Sequence, residues 1–310
     1  MGDYKIVIKV SVIIINYKTK ELVLNCLDTI YKYTQDIFFE IIVVDNNSND
    51  NIANILLKKY PDVKFIQNEK NSGFGSANNI AIKEAKGKYV FLLNPDTLLL
   101  NNAIKYFFDY CESNENKKVG CVGGFLEDEK GNIIHSYGTY LNYWYDITYI
   151  VGYNIKKLLN LKKTKFVKPV YQKFDNPIEI DYITGADLFI PKVMFEEVGL
   201  FDEDFFMYSE ETDLEYRIMK KGYKRIVIPG PKIIHLEGQS FSLSNSRRIM
   251  MSVSKFKYVK KYKTIFHYYL MKSIYVMSGS IGLFSDLYYS EYSAKENLKY
   301  LKCLLNNDYF

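Results

Sequence analysis

The chain has 310 residues, 48% of them apolar, and a net charge of +5. That supplies a sizeable core for one large domain with an extension, or for two domains. Its four cysteines (Cys26, Cys111, Cys121, Cys303) stand far apart without a CxxC, which excludes a zinc or disulfide framework and suits a reducing cytosol. No signal peptide is read at the N-terminus, and the apolar run at 10–15 is too short for a leader core or a membrane span.

In chain order, "KVSVIIINYKTKELVLNCLDTIYKYT" reads as a buried strand and then a helix over about 20–33. "FEIIVVDNNSND" is a second continuous apolar strand, ending in Asp45. "NIANILLKKYP" is a helix and "VKFIQN" a third strand. "NSGFGSANNIAIKEAKGK" is a Gly-rich turn opening a helix, and "YVFLLNPD" a fourth strand. Apolar strands alternating with helices predict an α/β fold, Rossmann-like, with a mostly parallel sheet flanked by helices. Asp45, Asn94 and Asp96 then fall at carboxyl ends of strands, where open α/β sheets bind ligands.

Beyond residue 101 a helix near 102–111 leads to "VGCVGGFL". A stretch from about 127 to 180, rich in Tyr, Lys and Asn, reads as insertions around a binding face. "EIDYITGADLFIPKVMFEEVGLFDEDFF" returns to strand and helix, and "YKRIVIPGPKIIHLEG" reads as one last strand ending at His235. The expected domains are 1–240, catalytic, and 241–310, a basic and aromatic helical C-terminal extension. From residue 238 to 285 there are eight bases and no acid. Such a segment suits an anionic membrane surface, a helix packed with a solvated Lys face, or nucleic acid.

Four acids crowd "FMYSEETDLEYRIMKKGY": Glu210, Glu211, Asp213 and Glu215. One reading is a solvated helix start, with Ser209 as N-cap and the acids favouring the macrodipole. The other is catalysis. "NSGFGSANN" is neither a P-loop nor GxGxxG, and by itself a tight strand-to-helix turn explains Gly73 and Gly75 better than ligand contact, although a helix start after such a turn can receive a phosphate or ribose. In "NPD", Asp96 at a strand end with Asn94 two residues earlier suits a divalent ion already held by a diphosphate. His235 reads equally as a ligand or a structural histidine.

The order of these pieces, from "VSVIIINYKTKELVLNCLDTI" through "EIIVVDNNSND", "NSGFGSANN", "YVFLLNPD", "TGADLFIP" and "FDEDFFMYSEETDLEYRIMKKGY" to "IIHLEG", resembles glycosyltransferase family 2 over roughly 9–240. Within it the chain is most similar to bacterial rhamnosyltransferase-type enzymes. The resemblance implies a GT-A fold and an inverting, Mn²⁺- or Mg²⁺-dependent transfer from a nucleoside-diphosphate sugar, dTDP-L-rhamnose first and UDP-hexoses second. The implied acceptor is a saccharide hydroxyl in surface polysaccharide synthesis, lipid-diphosphate-linked in many relatives. That places the protein in the cytoplasm, peripheral on the inner face of the membrane, with nucleic acid not expected as a partner. Residue by residue, Asp45 corresponds to the base-reading Asp, and Asp96 to the last carboxylate of the metal motif, with Asn94 in place of its first. His235 corresponds to the His completing the metal site. Asn16, Tyr17, Asn47, Gly73, Phe74, Asn78, Gly185 and Ala186 fall among the nucleotide-sugar positions. "SEE" aligns Glu211 with the catalytic base, and its extra methylene leaves the base open between Glu211 and Asp213, with Glu210 beside them. Two other classes are a nucleotidyltransferase, whose Gly- and Lys-rich triphosphate loop "VIIINYKTKE" lacks, and a non-catalytic sugar-nucleotide-binding subunit.

Overall fold

The computed structural model describes residues 7–140, 171–236, 244–281 and 292–306, with positions 148, 150 and 283. Much of the stretch expected as binding-face insertions and the proposed domain boundary at 240/241 lie outside the described residues. The described residues fall into two compact units, one of 7–140, 171–206 and 210–236, the other of 207–209 and the C-terminal helices.

The first unit opens with β1 (Val10–Asn16), α1 (Lys20–Tyr33), β2 (Phe39–Asp45), α2 (Ile52–Lys59), β3 (Lys64–Gln67), α3 (Phe74–Glu84) and β4 (Tyr89–Leu93). It continues through β5 (Thr97–Leu99), α4 (Ala103–Ser113), β6 (Val119–Gly123), β7 (Leu126–Glu127), β8 (Tyr137–Gly138), β9 (Ile178–Glu179), β10 (Tyr182–Ile183) and β11 (Asp187–Pro191). It closes with α5 (Val193–Val198), α6 (Glu210–Lys220), β12 (Lys224–Val227) and β13 (Ile233–His235). Eight strands form one sheet in the order β3-β2-β1-β4-β11-β6-β12-β9. The strands β3, β2, β1 and β4 run parallel, as do β6 and β12, while β11 and β9 run against their neighbours. The mostly parallel sheet expected from the alternating pattern is therefore present.

Why the strands are continuously apolar is visible in β1, all seven residues of which are buried. Val10, Val12 and Ile14 enter the core on one face, with α1 and α4. Ile13 and Ile15 enter the core on the other, with α3 and α6. Alternation of side chains puts both halves of the run in contact with helices. Each such side chain contributes about 1.5–3 kcal/mol.

The last strand corrects the sequence reading. "YKRIVIPGPKIIHLEG" is two strands: β12 joins the large sheet beside β6, and β13 joins a small sheet of order β5-β13-β7. The break is at Gly230, whose φ of 113 lies between Pro229 and Pro231. Proline cannot continue the ladder and glycine supplies the positive φ, so the chain leaves the large sheet there. As a result β13 pairs antiparallel with β5 and sets His235 opposite Thr97.

The second unit holds three helices, α7 (Ser244–Tyr262), α8 (Ile265–Ile281) and α9 (Ala294–Asn306). They bury a separate core that includes Ile249, Val253, Phe256, Val259, Met271 and Leu304. The Arg248 guanidinium lies 3.7 Å from the Tyr300 ring centroid and donates to Asn297 Oδ1 at 2.8 Å, joining α7 to α9. No helix among the described residues is long and apolar enough to cross a membrane.

Candidate active site

One end of the large sheet collects most of the expected residues. Asn16 and Asp45 are register partners at the carboxyl ends of β1 and β2. Asn94 follows β4, and its N–H donates to Ala186 O at 3.0 Å. Because β11 is antiparallel, its first residue, Asp187, pairs with the last of β4, Leu93. The loop before β11, carrying Gly185 and Ala186, thus meets the strand ends.

Asp45 is buried and held from three sides. Its Oδ1 accepts Asn16 Nδ2 at 2.7 Å, and its Oδ2 accepts Gln67 Nε2 at 2.8 Å and the Ser48 N–H at 3.0 Å. Asn16 is fully buried; its amide also donates to Ser48 Oγ and Asp50 Oδ2, and its carbonyl accepts the Thr19 N–H and hydroxyl. Asn16 is therefore the brace that orients Asp45. Half-buried Tyr17 follows, with the Lys18 ammonium 5.4 Å from its ring centroid. In the loop after β2, Asn47, Asn49 and Asn51 are all left-handed, at φ 64, 56 and 63. Asparagine tolerates that region better than most residues, which accounts for the run of Asn in "DNNSNDN".

The Gly-rich turn has a structural task. Gly73 is at φ 85, and a Cβ placed on it would stand 2.2 Å from Phe206 O. The Phe74 N–H donates to that same carbonyl at 2.9 Å. The turn is therefore docked on the segment leading to α6. Asn46, absent from the sequence expectations, ties β2 to it: its amide donates to Asn71 Oδ1 and Gly73 O, and its carbonyl accepts Asn68 Nδ2 and the Ser72 N–H. The only signal for it was its place between Asp45 and Asn47. Asn78 turns back into its own helix, donating to Phe74 O at 3.0 Å.

Asp96 and His235 come together. His235 Nε2 lies 3.3 Å from Asp96 Oδ1, and the Leu236 N–H donates to Asp96 O at 2.8 Å. Asp96 is 1% exposed. His235 Nδ1 is buried with no hydrogen-bond partner among the described residues. No group of three or more His, Cys, Asp or Glu able to hold a metal occurs among the described residues.

The acid cluster is not a solvated helix start. Glu210, Asp213 and Glu215 are buried and Glu211 is half-buried. Ser209 stands at φ 66, left-handed, where an N-cap takes an extended conformation. Asp213 Oδ2 accepts Arg217 Nε at 2.9 Å. Arg217 goes on to donate to the carbonyls of Val198, Gly199 and Leu200, so this pair clamps α6 to the end of α5. Glu211 faces the loop before β11. A Cβ placed on Gly185 would lie 3.8 Å from Glu211 Cβ and 3.5 Å from the Phe74 ring. Burial pushes the Glu211 carboxyl up to about 7, against the pull of the N–H groups of Glu211 and Thr212. Glu210 is raised well above the carboxylate range by burial first and by the Glu211 charge second.

Two further buried acids support this corner. Glu215 Oε2 accepts the Ile183 N–H at 2.8 Å and Cys121 Sγ at 3.4 Å. Asp187 Oδ2 accepts the Gly124 N–H at 2.6 Å. Burial raises both well above the ordinary range. Each leaves its other oxygen without a partner among the described residues. Periodicity could have flagged Glu215: positions 211, 214, 215 and 218 share one helix face, so two acids occupy the stripe with Leu214 and Ile218.

This fold, with Asn16, Asp45, Asn94 and the loop of Gly185 gathered at the strand ends, is that of the GT-A glycosyltransferases. Among solved structures, GalNAc-T7 with UDP, GalNAc and Mn²⁺ superposes with a TM-score of 0.62 at 17% identity, covering 97% of this chain and 56% of that one. The chain belongs to glycosyl transferase family 2, whose family model matches residues 11–172. It is 22% identical over 223 residues to the N-acetylglucosaminyl-diphospho-decaprenol L-rhamnosyltransferase of Mycobacterium tuberculosis (strain CDC 1551 / Oshkosh), covering 64% of this chain and 67% of that one. It is 24% identical over 237 residues to rhamnosyltransferase WbbL of Escherichia coli (strain K12), covering 73% and 83%. The rhamnosyltransferase-like resemblance and the transferase activity expected from the sequence accord with these matches.

Proposed function

We propose that this glycosyltransferase moves a hexose, rhamnose first, from a nucleoside-diphosphate sugar to a saccharide hydroxyl, with inversion at the anomeric carbon. The observation that carries the reading is that the loop after β4, in which Asp96 pairs with His235, is hydrogen-bonded through the Asn94 N–H and Ala186 O to the loop of Gly185 that faces Glu211. Asp45, braced by Asn16 and Gln67, is the residue for the nucleotide base; Asn94, Gly185, Ala186 and Phe74 border the diphosphate and sugar.

A carboxylate oxygen and an imidazole nitrogen 3.3 Å apart fit a divalent ion such as Mn²⁺, which accepts both donor types. With only two protein ligands, the remaining positions are left for diphosphate and water. When bound, the ion would neutralise charge on the leaving diphosphate. Glu211 takes the proton of the acceptor hydroxyl as that oxygen forms its bond to the anomeric carbon and the bond to the diphosphate oxygen breaks. A base with a pKa of about 7 is both partly ionised and a useful proton acceptor near neutrality.

The name of the Mycobacterium tuberculosis relative, an N-acetylglucosaminyl-diphospho-decaprenol L-rhamnosyltransferase, supports a lipid-diphosphate-linked acceptor, and such an acceptor would bring the protein to a membrane surface. A thermal-shift screen with dTDP, UDP, GDP and CDP, each with Mn²⁺, tests the donor class. A nucleotide at 100 times its Kd stabilises by about 2.7 kcal/mol. Stabilisation by none of the four would overturn the reading.

A further inference from the structure

We infer that the corner between α7 and α8, with the outer stripe of α8, is a surface that seats the second unit on an anionic phospholipid membrane. The inference deepens the lipid-linked acceptor reading and rests on it for its purpose.

Helix α8 is apolar on two sides. Its inner side buries Tyr268, Met271 and Gly279, with Tyr268 edge-on to Phe256 at 6.3 Å. Its outer side leaves Ile265, Phe266, Tyr269 and Met277 at 61, 66, 60 and 46% exposure. At 100° per residue these four lie within about 120° of one another, so they form one stripe rather than scattered exposure. A helix apolar all round is expected to be covered on every side. The inner contacts cover one side only.

Charge says what covers the other. Lys260, Lys261 and Lys263 are exposed in the corner where α7 ends and α8 begins, directly before Ile265 and Phe266. The corner is fixed by local hydrogen bonds: the Lys263 N–H donates to Val259 O at 2.8 Å, and Thr264 Oγ1 and His267 Nδ1 are 2.6 Å apart. The sequence from 238 to 285 carries eight bases and no acid. A protein partner would need a matching acidic rim. A bilayer supplies both chemistries, headgroup phosphate for the lysines and acyl chain for the stripe, within the depth an interfacial helix reaches. With no span available in the described helices, α8 lies along the surface with its stripe inward.

The test uses the full chain and vesicles of phosphatidylglycerol with phosphatidylcholine. Wild type should sediment with them. Changing Lys260, Lys261 and Lys263 together to Gln should weaken partition roughly 100-fold at low salt, at about fivefold per lysine. Ile265→Ser with Phe266→Ser and Tyr269→Ser should weaken it at least about tenfold, most visibly at high salt, where only apolar contact remains. Both sets change exposed side chains, so the fold and transfer to a short soluble acceptor should be unaltered. A Phe266→Trp variant supplies an independent reading: brominated acyl chains should quench its fluorescence beyond that of the chain's other tryptophan. Wild type that ignores the vesicles, a serine variant that binds like wild type, or an unquenched Phe266→Trp would each overturn the inference. So would a dimer that forms through the stripe and persists in the presence of vesicles. Loss of transfer to the soluble acceptor in wild type would instead count against the enzymatic reading.

Discussion

Glu215 Oε2 accepts the backbone N–H of Ile183 at 2.8 Å, and this one hydrogen bond ties the helix that carries Glu211 to the loop that carries Gly185. The carboxyl is fully buried, and that burial raises it well above the ordinary carboxylate range, which favours the neutral, hydrogen-bonding form over the charge. Glu215→Gln keeps the accepting oxygen and should leave stability and transfer near wild type. Glu215→Ala leaves the Ile183 N–H without its acceptor and opens a cavity, at a cost of about 2–4 kcal/mol. Its kcat should fall more than its donor KM rises, because the loop moves relative to Glu211. Melting curves and kinetics of the two variants check this; equal damage from both would assign Glu215 a charged role instead.

The buried acids also set a pH dependence. Glu210, Glu215 and Asp187 all have folded-state pKa values well above the ordinary range. Above about pH 4.5 the unfolded chain has released these protons while the folded chain keeps them. Stability must therefore fall as pH rises, by about 1.4 kcal/mol per pH unit per group, until each folded pKa is passed. Urea midpoints between pH 5 and 8 should decline, and Glu215→Gln combined with Asp187→Asn should flatten that decline. A stability that rises with pH across this window would mean these acids are ionised.

The strands and their polar ends were legible because burial on both faces writes a continuous apolar run, and a polar residue ends each run where the sheet ends. Asp45 and Asp96 were readable on that ground alone. The meeting of Asp96 with His235 was readable only by resemblance, since it depends on the Pro-Gly-Pro break that sends β13 to a second sheet. The acids of α6 were readable as a cluster but not as buried, because what covers a helix start comes from distant segments, here the loop before β11 and the turn at Gly73. Asn46 and Asp187 act through hydrogen bonds to backbone far away in sequence, and composition carries no sign of that. The turn expected at Gly73 is present, and the Phe74 N–H that follows it reaches the carbonyl of Phe206, four residues before α6.

Asp96→Ala should abolish transfer and remove the Mn²⁺ dependence of nucleotide binding. His235→Ala should do so partially, because diphosphate and water would supply the other ligands of a bound ion. Calorimetric titration of the nucleotide with and without Mn²⁺ measures this directly, apart from turnover. Full wild-type activity in excess EDTA would remove the metal from the mechanism.

Asp45→Ala is a poor test of base reading, since it strips Asn16, Gln67 and the Ser48 N–H of their shared acceptor at once. Asp45→Asn keeps shape and one accepting oxygen. It should cost some stability, about 1.5–3 kcal/mol for hydrogen bonds to a charged group. It should weaken pyrimidine nucleotide binding about tenfold while leaving inorganic diphosphate with Mn²⁺ unaffected. Equal affinity of wild type and Asp45→Asn for dTDP and UDP would exclude Asp45 from base recognition.

The acid helix separates its members by role. Asp213 is paired with Arg217 and buried, so Asp213→Asn should lower the melting temperature, with a loss of about 1.5–3 kcal/mol, and leave most of the chemical step intact in protein that stays folded. Glu211→Gln keeps the shape beside Gly185 but cannot take a proton, so donor binding should survive while kcat falls about 10²-fold or more, equivalent to about 2.7 kcal/mol. Glu210→Gln removes a neutral acid from next to Glu211 and should give an intermediate effect. The pH profile adds a sign. A base with a pKa of about 7 works when ionised, so single-turnover transfer in wild type should rise as pH passes through about 7 and level off above it. In Glu211→Gln that rise should be absent from the residual activity. Were Asp213→Asn the inactive variant and Glu211→Gln the active one, with the pH rise retained, the proton would belong two residues further along the helix. Wild-type rates in all three variants would leave the four acids with no catalytic task.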